Sequence, residues 1–68
     1  MDEREKLKQL LEHWIEHNEE HAAEFREWAV KAKDLGEADI SDQLLEAANQ
    51  IERSNEILGQ ASAKMKSS

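Results

Sequence analysis

Apolar residues recur through the first half of the chain at steps of three or four positions, with polar residues between them. This spacing is the periodicity of an α-helix and not the alternation of a strand. Residues 2–34 are also rich in good helix formers, chiefly Glu, Lys, Leu and Ala. We therefore predict a helix over about residues 2–34. Its apolar stripe contains Leu7, Leu11, Trp14, Phe25, Trp28 and Ala32, with Asn18 and His21 in the gaps and Leu10, Ile15, Ala22 and Ala29 at the margins.

The second half of the chain shows the same periodicity and predicts a helix over about residues 40–64. Gly36 is suited to follow the end of the first helix, and Asp39 is suited to cap the start of the second. The turn, about residues 35–39, is so short that the helices must be antiparallel neighbours. The second stripe contains Ile40, Leu44, Ala47, Ala48, Ile51, Leu58, Ala61 and Met65, with Asn55 in line.

These elements predict one all-α domain over residues 1–68, an antiparallel two-helix hairpin. A hairpin of two helices leaves one side of each stripe in water, and a chain without Cys has no disulfide to brace it. We therefore expect self-association, most simply a homodimer that forms a four-helix bundle. Gly59, inside the second helix, is expected to mark the close approach of another helix, and Trp14 and Trp28 are expected to anchor the core or to line a pocket.

Two asparagines interrupt the apolar stripes. In an antiparallel hairpin, Asn18 lies opposite about residue 56, so that it shares one level with His21, Ser54 and Asn55. One interpretation is a polar layer that fixes the register of the helices. The other is a set of amides that orient an imidazole bound to a metal.

The overall charge narrows the classes of function. Acidic residues outnumber basic ones 16 to 9, and a net charge of −7 argues against nucleic-acid partners and favours cations. No apolar run reaches the roughly 18 residues of a membrane span, and the charged start does not resemble a signal peptide. We therefore expect a cytoplasmic protein. Catalytic triad and phosphate-loop patterns are absent, so no enzyme is expected.

All three histidines belong to one repeat, in which each is followed three residues later by Glu16, Glu20 or Glu24. Residues four apart on a helix are neighbours, separated by about 6 Å along its axis. His13 with His17, or His17 with His21, can therefore bind one ion. His13 and His21 cannot share one ion, because they lie about 12 Å apart along the axis.

Glu20 and Glu24 lie beside the second pair, so the candidate metal ligands of this segment are His13, His17, His21, Glu20 and Glu24. Imidazole and carboxylate without thiolate suit nickel, cobalt, zinc or copper(II). Three alternatives remain: a solvated helical flank, a dimerisation module with no metal role, and a bundle that responds to pH. Di-metal carboxylate bundles use Glu-x-x-His, and the reversed order here argues against that class of enzyme.

The sequence from His13 to Ala22, with Phe25-Arg26-Glu27-Trp28-Ala29 and Leu45-Glu46-Ala47-Ala48, resembles small helical domains of bacteria and archaea. Those domains occur alone or after CooT-type nickel-binding modules, and the resemblance covers about residues 7–60. It implies a role near nickel or cobalt handling, carried by His13, His17 and His21, with a metal-handling protein as a partner. The CooT-type module itself is absent from this chain. The expected function is a non-enzymatic metal carrier, buffer or accessory factor.

Overall fold

The structure, a computed structural model, describes residues 2–67 as two α-helices joined by a tight turn. Helix α1 spans Glu3–Asp34 and helix α2 spans Ala38–Ser67, and the described part of the chain contains no strand. The helices pack side by side as an antiparallel hairpin of 50 × 18 × 11 Å. The predicted all-α hairpin is therefore confirmed. Met1 and Ser68, the ends of the predicted domain, lie outside the described residues.

The ends of the helices follow local chemistry. Asp2 caps α1, because its side chain accepts a hydrogen bond of 2.8 Å from the backbone N–H of Glu5. Gly36 follows the end of α1 with a φ of 84°, as predicted. Helix α2 begins at Ala38, so Asp39 lies in its first turn instead of capping it, where its charge still favours the helix dipole. The same helix continues to Ser67, three residues beyond the predicted end.

The seam between the helices is made of small residues. Its six buried members are Leu11, Ala22, Ala29, Ala32, Ser41 and Ala48. Because five of these six side chains are no larger than serine, the two backbones can approach closely. The Ser41 hydroxyl donates a buried hydrogen bond of 2.7 Å to the backbone carbonyl of Ala29 in the other helix. The positions of the alanines therefore determine how closely the two helices pack.

The two tryptophans do not anchor the seam within the single hairpin, and their expected place in the core of a dimer stays a prediction. Trp14 is 42% exposed and Trp28 is 51% exposed, whereas the alanines at the seam are almost completely covered. The alanine seam explains this difference, because a closely packed pair of helices has no room for an indole between them. Both tryptophans therefore lie at the margin of the seam.

The asparagines form the predicted polar layer. The Asn18 amide donates a hydrogen bond of 2.9 Å to the Asn55 side-chain oxygen, and Asn55 donates one of 3.0 Å to the backbone carbonyl of Ile15. Both side chains are half-buried at the seam. The pairing of residue 18 with residue 55 agrees with the predicted register, and the bonds join the two helices directly.

The two glycines have opposite roles, and their substitution is expected to have opposite effects. Gly36→Ala should lower the free energy of unfolding by about 1 kcal/mol, because a Cβ is strained at positive φ. Gly59→Ala should raise it by up to about 1 kcal/mol, because a Cβ there meets nothing within 4 Å and alanine favours the helix. The open space at Gly59 also shows that no close helix contact occurs there within the hairpin, so an approach by a helix of another chain stays a prediction. Urea titration followed by circular dichroism measures both changes, and equal shifts in the same direction would contradict this account.

Candidate metal-binding site

The two broad sides of the hairpin differ in chemistry. One side, called the charged side here, carries Glu12, Glu16, Glu19, Arg26, Glu52 and Lys66. Arg26 forms an ion pair with Glu52 and donates a hydrogen bond of 3.3 Å to Asn49, and Lys66 lies 3.7 Å from Glu12. These interactions link the helices at the surface, where each contributes little stability.

The opposite side, called the apolar side here, presents large hydrophobic residues to solvent. Helical spacing places on it Leu7, Leu10, Trp14, Phe25 and Trp28 of α1 and Ile40, Leu44, Ala47, Ile51, Leu58, Ala61 and Met65 of α2. Leu7, Leu10 and Met65 line a groove at the open end of the hairpin. His17, His21 and Ser54 interrupt the apolar side near its middle.

His17 and His21 come together on this side. Their Nε2 atoms are 3.0 Å apart, and their rings meet edge to face with centroids separated by 4.5 Å. The ring of Phe25, one turn further along α1, lies 6.2 Å from that of His21. The regular helix thus directs both imidazoles to one point, as the four-residue spacing predicts.

His13 and the predicted glutamates stand apart from this pair. The ring of His13 stacks against that of His17 at a centroid distance of 5.8 Å. Glu20 and Glu24 are exposed. Among residues 2–67, no three side chains of His, Asp or Glu are arranged closely enough to hold a metal ion. The described residues therefore bring together one pair of ring nitrogens, and an ion held by this pair needs further ligands.

Phe25 is a contact that the sequence reasoning missed, because that residue was assigned only to the core. Its position four residues after His21 is a signal that indicates contact between the two rings. A half-buried phenyl ring under one edge of the pair restricts the conformations of His21. The pair is thus supported from one side by packing and remains accessible from the other.

Comparisons with known proteins show sequences that are similar to this chain. A protein of Archaeoglobus fulgidus, described as uncharacterized, is 42% identical over 57 residues, which are 84% of this chain and 90% of the relative. No solved structure matches the chain. Within residues 2–67, neither helix has the length and apolar character needed to cross a membrane. A family model matches residues 7–65, and the chain therefore belongs to the family described as Domain of unknown function (DUF8180).

Proposed function

We propose that this protein binds a divalent transition-metal ion, namely nickel, cobalt or zinc, through His17 and His21. In this proposal it is not an enzyme but acts in the cytoplasm as a carrier, buffer or accessory factor. The observation that supports the proposal is the 3.0 Å separation of the two Nε2 atoms. The resemblance to domains near nickel handling points to the same class of ion.

The separation of the nitrogens suits a shared ion. Two imidazole nitrogens at about 2.0–2.1 Å from one metal ion are roughly 3 Å apart when the angle between them is near 90–110°. The distance between the two nitrogens is therefore compatible with a shared ion once both lone pairs turn toward it. In the absence of metal, the same distance allows one neutral imidazole to donate a hydrogen bond to the other.

The surroundings of the pair favour a cation. Glu20 lies within one turn of both histidines and Glu24 within one turn of His21 on the same helix, and the chain carries a net charge of −7. These charges raise the local concentration of divalent ions, and each glutamate can reach toward an ion already held by imidazole. Since the chain has no thiolate, the donor set is the nitrogen and oxygen set that nickel, cobalt and zinc accept.

The proposal predicts a clear ranking of variants in metal titration. His17→Ala and His21→Ala should each weaken zinc, nickel or cobalt binding by at least about tenfold, because each leaves a single imidazole of the converging pair. His13→Ala is the matched control and should change affinity by less than about threefold, since its ring only stacks on His17. Isothermal titration calorimetry at pH 7.5 and at pH 5.5 measures the affinities, which should fall at the lower pH because imidazole must be neutral to bind.

Two results would overturn the metal proposal. One is an affinity weaker than about 100 μM for all three ions, which leaves the histidines without a role in metal handling. The other is equal binding by the wild type and the His17→Ala variant, which places the ligands elsewhere. The His13→Ala variant shows which pair of histidines binds the ion. A strong loss of affinity in that variant would mean that His13 and His17 bind it, whereas a small change is expected if His17 and His21 do.

A second candidate function is a homodimerisation module in which the histidines have no metal role. The observation that favours it is the exposed apolar side, with Trp14, Trp28 and Ile40 each about half exposed. Monomeric proteins rarely expose large apolar patches to water, and such patches often mark sites of association. Titration with metal separates the candidates, because only the first requires binding through His17 and His21.

A further inference from the structure

We propose that a second copy of this chain docks on the apolar side, and that its His17 and His21 complete the metal site with two more imidazoles. The docking itself depends only on the apolar surface, whereas the position of the ion rests on the proposed function. The site on one chain is incomplete, because no third His, Asp or Glu side chain within residues 2–67 joins the pair. The second copy supplies the missing ligands.

The first argument is the contrast between the two sides of the hairpin. The charged side carries Glu, Lys and Arg side chains, some of them joined in ion pairs across the helices. The apolar side exposes Leu7, Trp14 and Trp28 by 41%, 42% and 51%. The two helices of residues 2–67 leave this surface uncovered, and in this proposal a second copy covers it.

The second argument is area. The hairpin is 50 Å long and 18 Å wide, so its broad side offers a footprint on the order of 900 Å². A stable interface of standard size covers about 800 Å² on each partner. Two hairpins that meet along their full length therefore reach the area of a stable dimer, whereas a short peptide would leave much of this side exposed.

The third argument is self-complementarity. The apolar side of α1 carries large side chains, including Leu10, Trp14 and Trp28, and that of α2 carries Ala47, Ser54 and Ala61 at a spacing of seven residues between its larger apolar side chains. When two copies face each other about a two-fold axis along the helices, α1 of one lies over α2 of the other. Large side chains then meet small ones, as knobs-into-holes packing requires.

The register within the hairpin makes this match specific. The bond between Asn18 and Asn55 fixes which levels of the two helices coincide. By that register, Trp14 lies near the level of Ala61, and Trp28 lies near the level of Ala47. Each indole of one copy can therefore occupy the space above an alanine of the other.

The histidines lie where two copies meet. Helix α1 spans Glu3–Asp34, and His17 and His21 lie on either side of its midpoint. A two-fold axis along the helices leaves every level unchanged, so the two histidine pairs lie at the same level on diagonally opposite helices, both on the side that meets the other copy. In the proposed dimer the four imidazoles reach toward one ion in the interior of the bundle, where metal sites of helix bundles are built. Four is the number of ligands in a tetrahedral zinc site.

The test measures assembly with and without metal. In the presence of a metal chelator, sedimentation equilibrium at tens of micromolar protein should show a dimer. Zinc should tighten the dimer by at least about tenfold through mass action and bind at one ion per two chains. Ala61→Glu places a charge on the apolar side and should give a helical monomer. Ala63→Glu, on the charged side of the same helix, is the matched control and should remain a dimer.

The outcomes separate docking from metal binding. A monomer in chelator and in zinc, or a dimer disrupted by Ala63→Glu but not by Ala61→Glu, would overturn the docking. A wild-type monomer that binds one ion per chain would overturn the four-imidazole site while leaving the proposed function intact. A dimer that binds no metal would support the docking and overturn both the shared site and the proposed function. Circular dichroism of the Ala61→Glu variant confirms that any monomer is still folded, and Trp14→Glu provides a second variant on the other helix.

Discussion

Replacing Ala48 by leucine is expected to lower the free energy of unfolding by about 1–3 kcal/mol. Ala48 is completely buried at the seam, where its methyl group faces the other helix. The larger side chain forces the helices apart or twists the leucine out of a favourable rotamer. Separation also stretches the Ser41–Ala29 hydrogen bond, which depends on a close approach of the two backbones. The loss is large relative to the few kcal/mol that a domain of this size has in total.

The matched control is Ala63→Leu, which makes the same chemical change at an exposed position of the same helix. It should change the stability by less than about 0.5 kcal/mol, since the added atoms remain in water. Urea titration of both variants measures the difference, at a protein concentration held constant because association contributes to stability. If Ala48→Leu is as stable as Ala63→Leu, the small-residue seam does not set the distance between the helices.

The helical hairpin was predictable because its causes are local. Periodicity of three and four residues marks each helix, and Gly36 marks the turn between them. The level of Asn18 and Asn55 followed from the short connection alone, since an antiparallel hairpin with a fixed turn has a fixed register. These features need no knowledge of how tightly the helices pack.

The choice of the buried face was not predictable in the same way. Each helix has an apolar stripe wide enough to face either the other helix or a further partner, and periodicity alone does not say which residues of the stripe face which. The alanines decide the outcome, because Ala22, Ala29 and Ala48 allow a spacing that excludes Trp14 and Trp28. Periodicity identifies a stripe, whereas side-chain volume on both helices together determines which part of it forms the seam.

The candidate metal site was also only partly predictable from the sequence. Four-residue spacing indicates that either His13 with His17 or His17 with His21 can converge, and it does not distinguish the two pairs. Side-chain rotamers distinguish them, since the first pair stacks and the second pair brings its nitrogens to 3.0 Å. The contact between His21 and Phe25 is part of this arrangement and depends on packing at the margin of the seam.

The hydrogen bond between Asn18 and Asn55 predicts that single and double substitutions of this pair have different effects on the free energy of unfolding. Asn55→Leu should lower the free energy of unfolding by about 1–2 kcal/mol, because it removes the bonds to Asn18 and to the Ile15 carbonyl and leaves a half-buried amide without its partner. Asn18→Leu should cost about 1 kcal/mol, since it removes only the first of these bonds. The double variant should be at least as stable as the less damaging single variant, because two leucines can pack where two amides were paired.

A double-mutant cycle in urea measures this coupling, and Asn49→Leu provides the control at an exposed asparagine of the same helix. The control should change stability by less than about 0.5 kcal/mol. The double variant should also lose specificity of register, because two leucines accept several alignments whereas the amide pair accepts one. Broadened amide signals in NMR spectra, or several species in sedimentation, would reveal that loss. Additive effects of the two single substitutions would contradict the paired layer, since they would mean that each amide acts without the other.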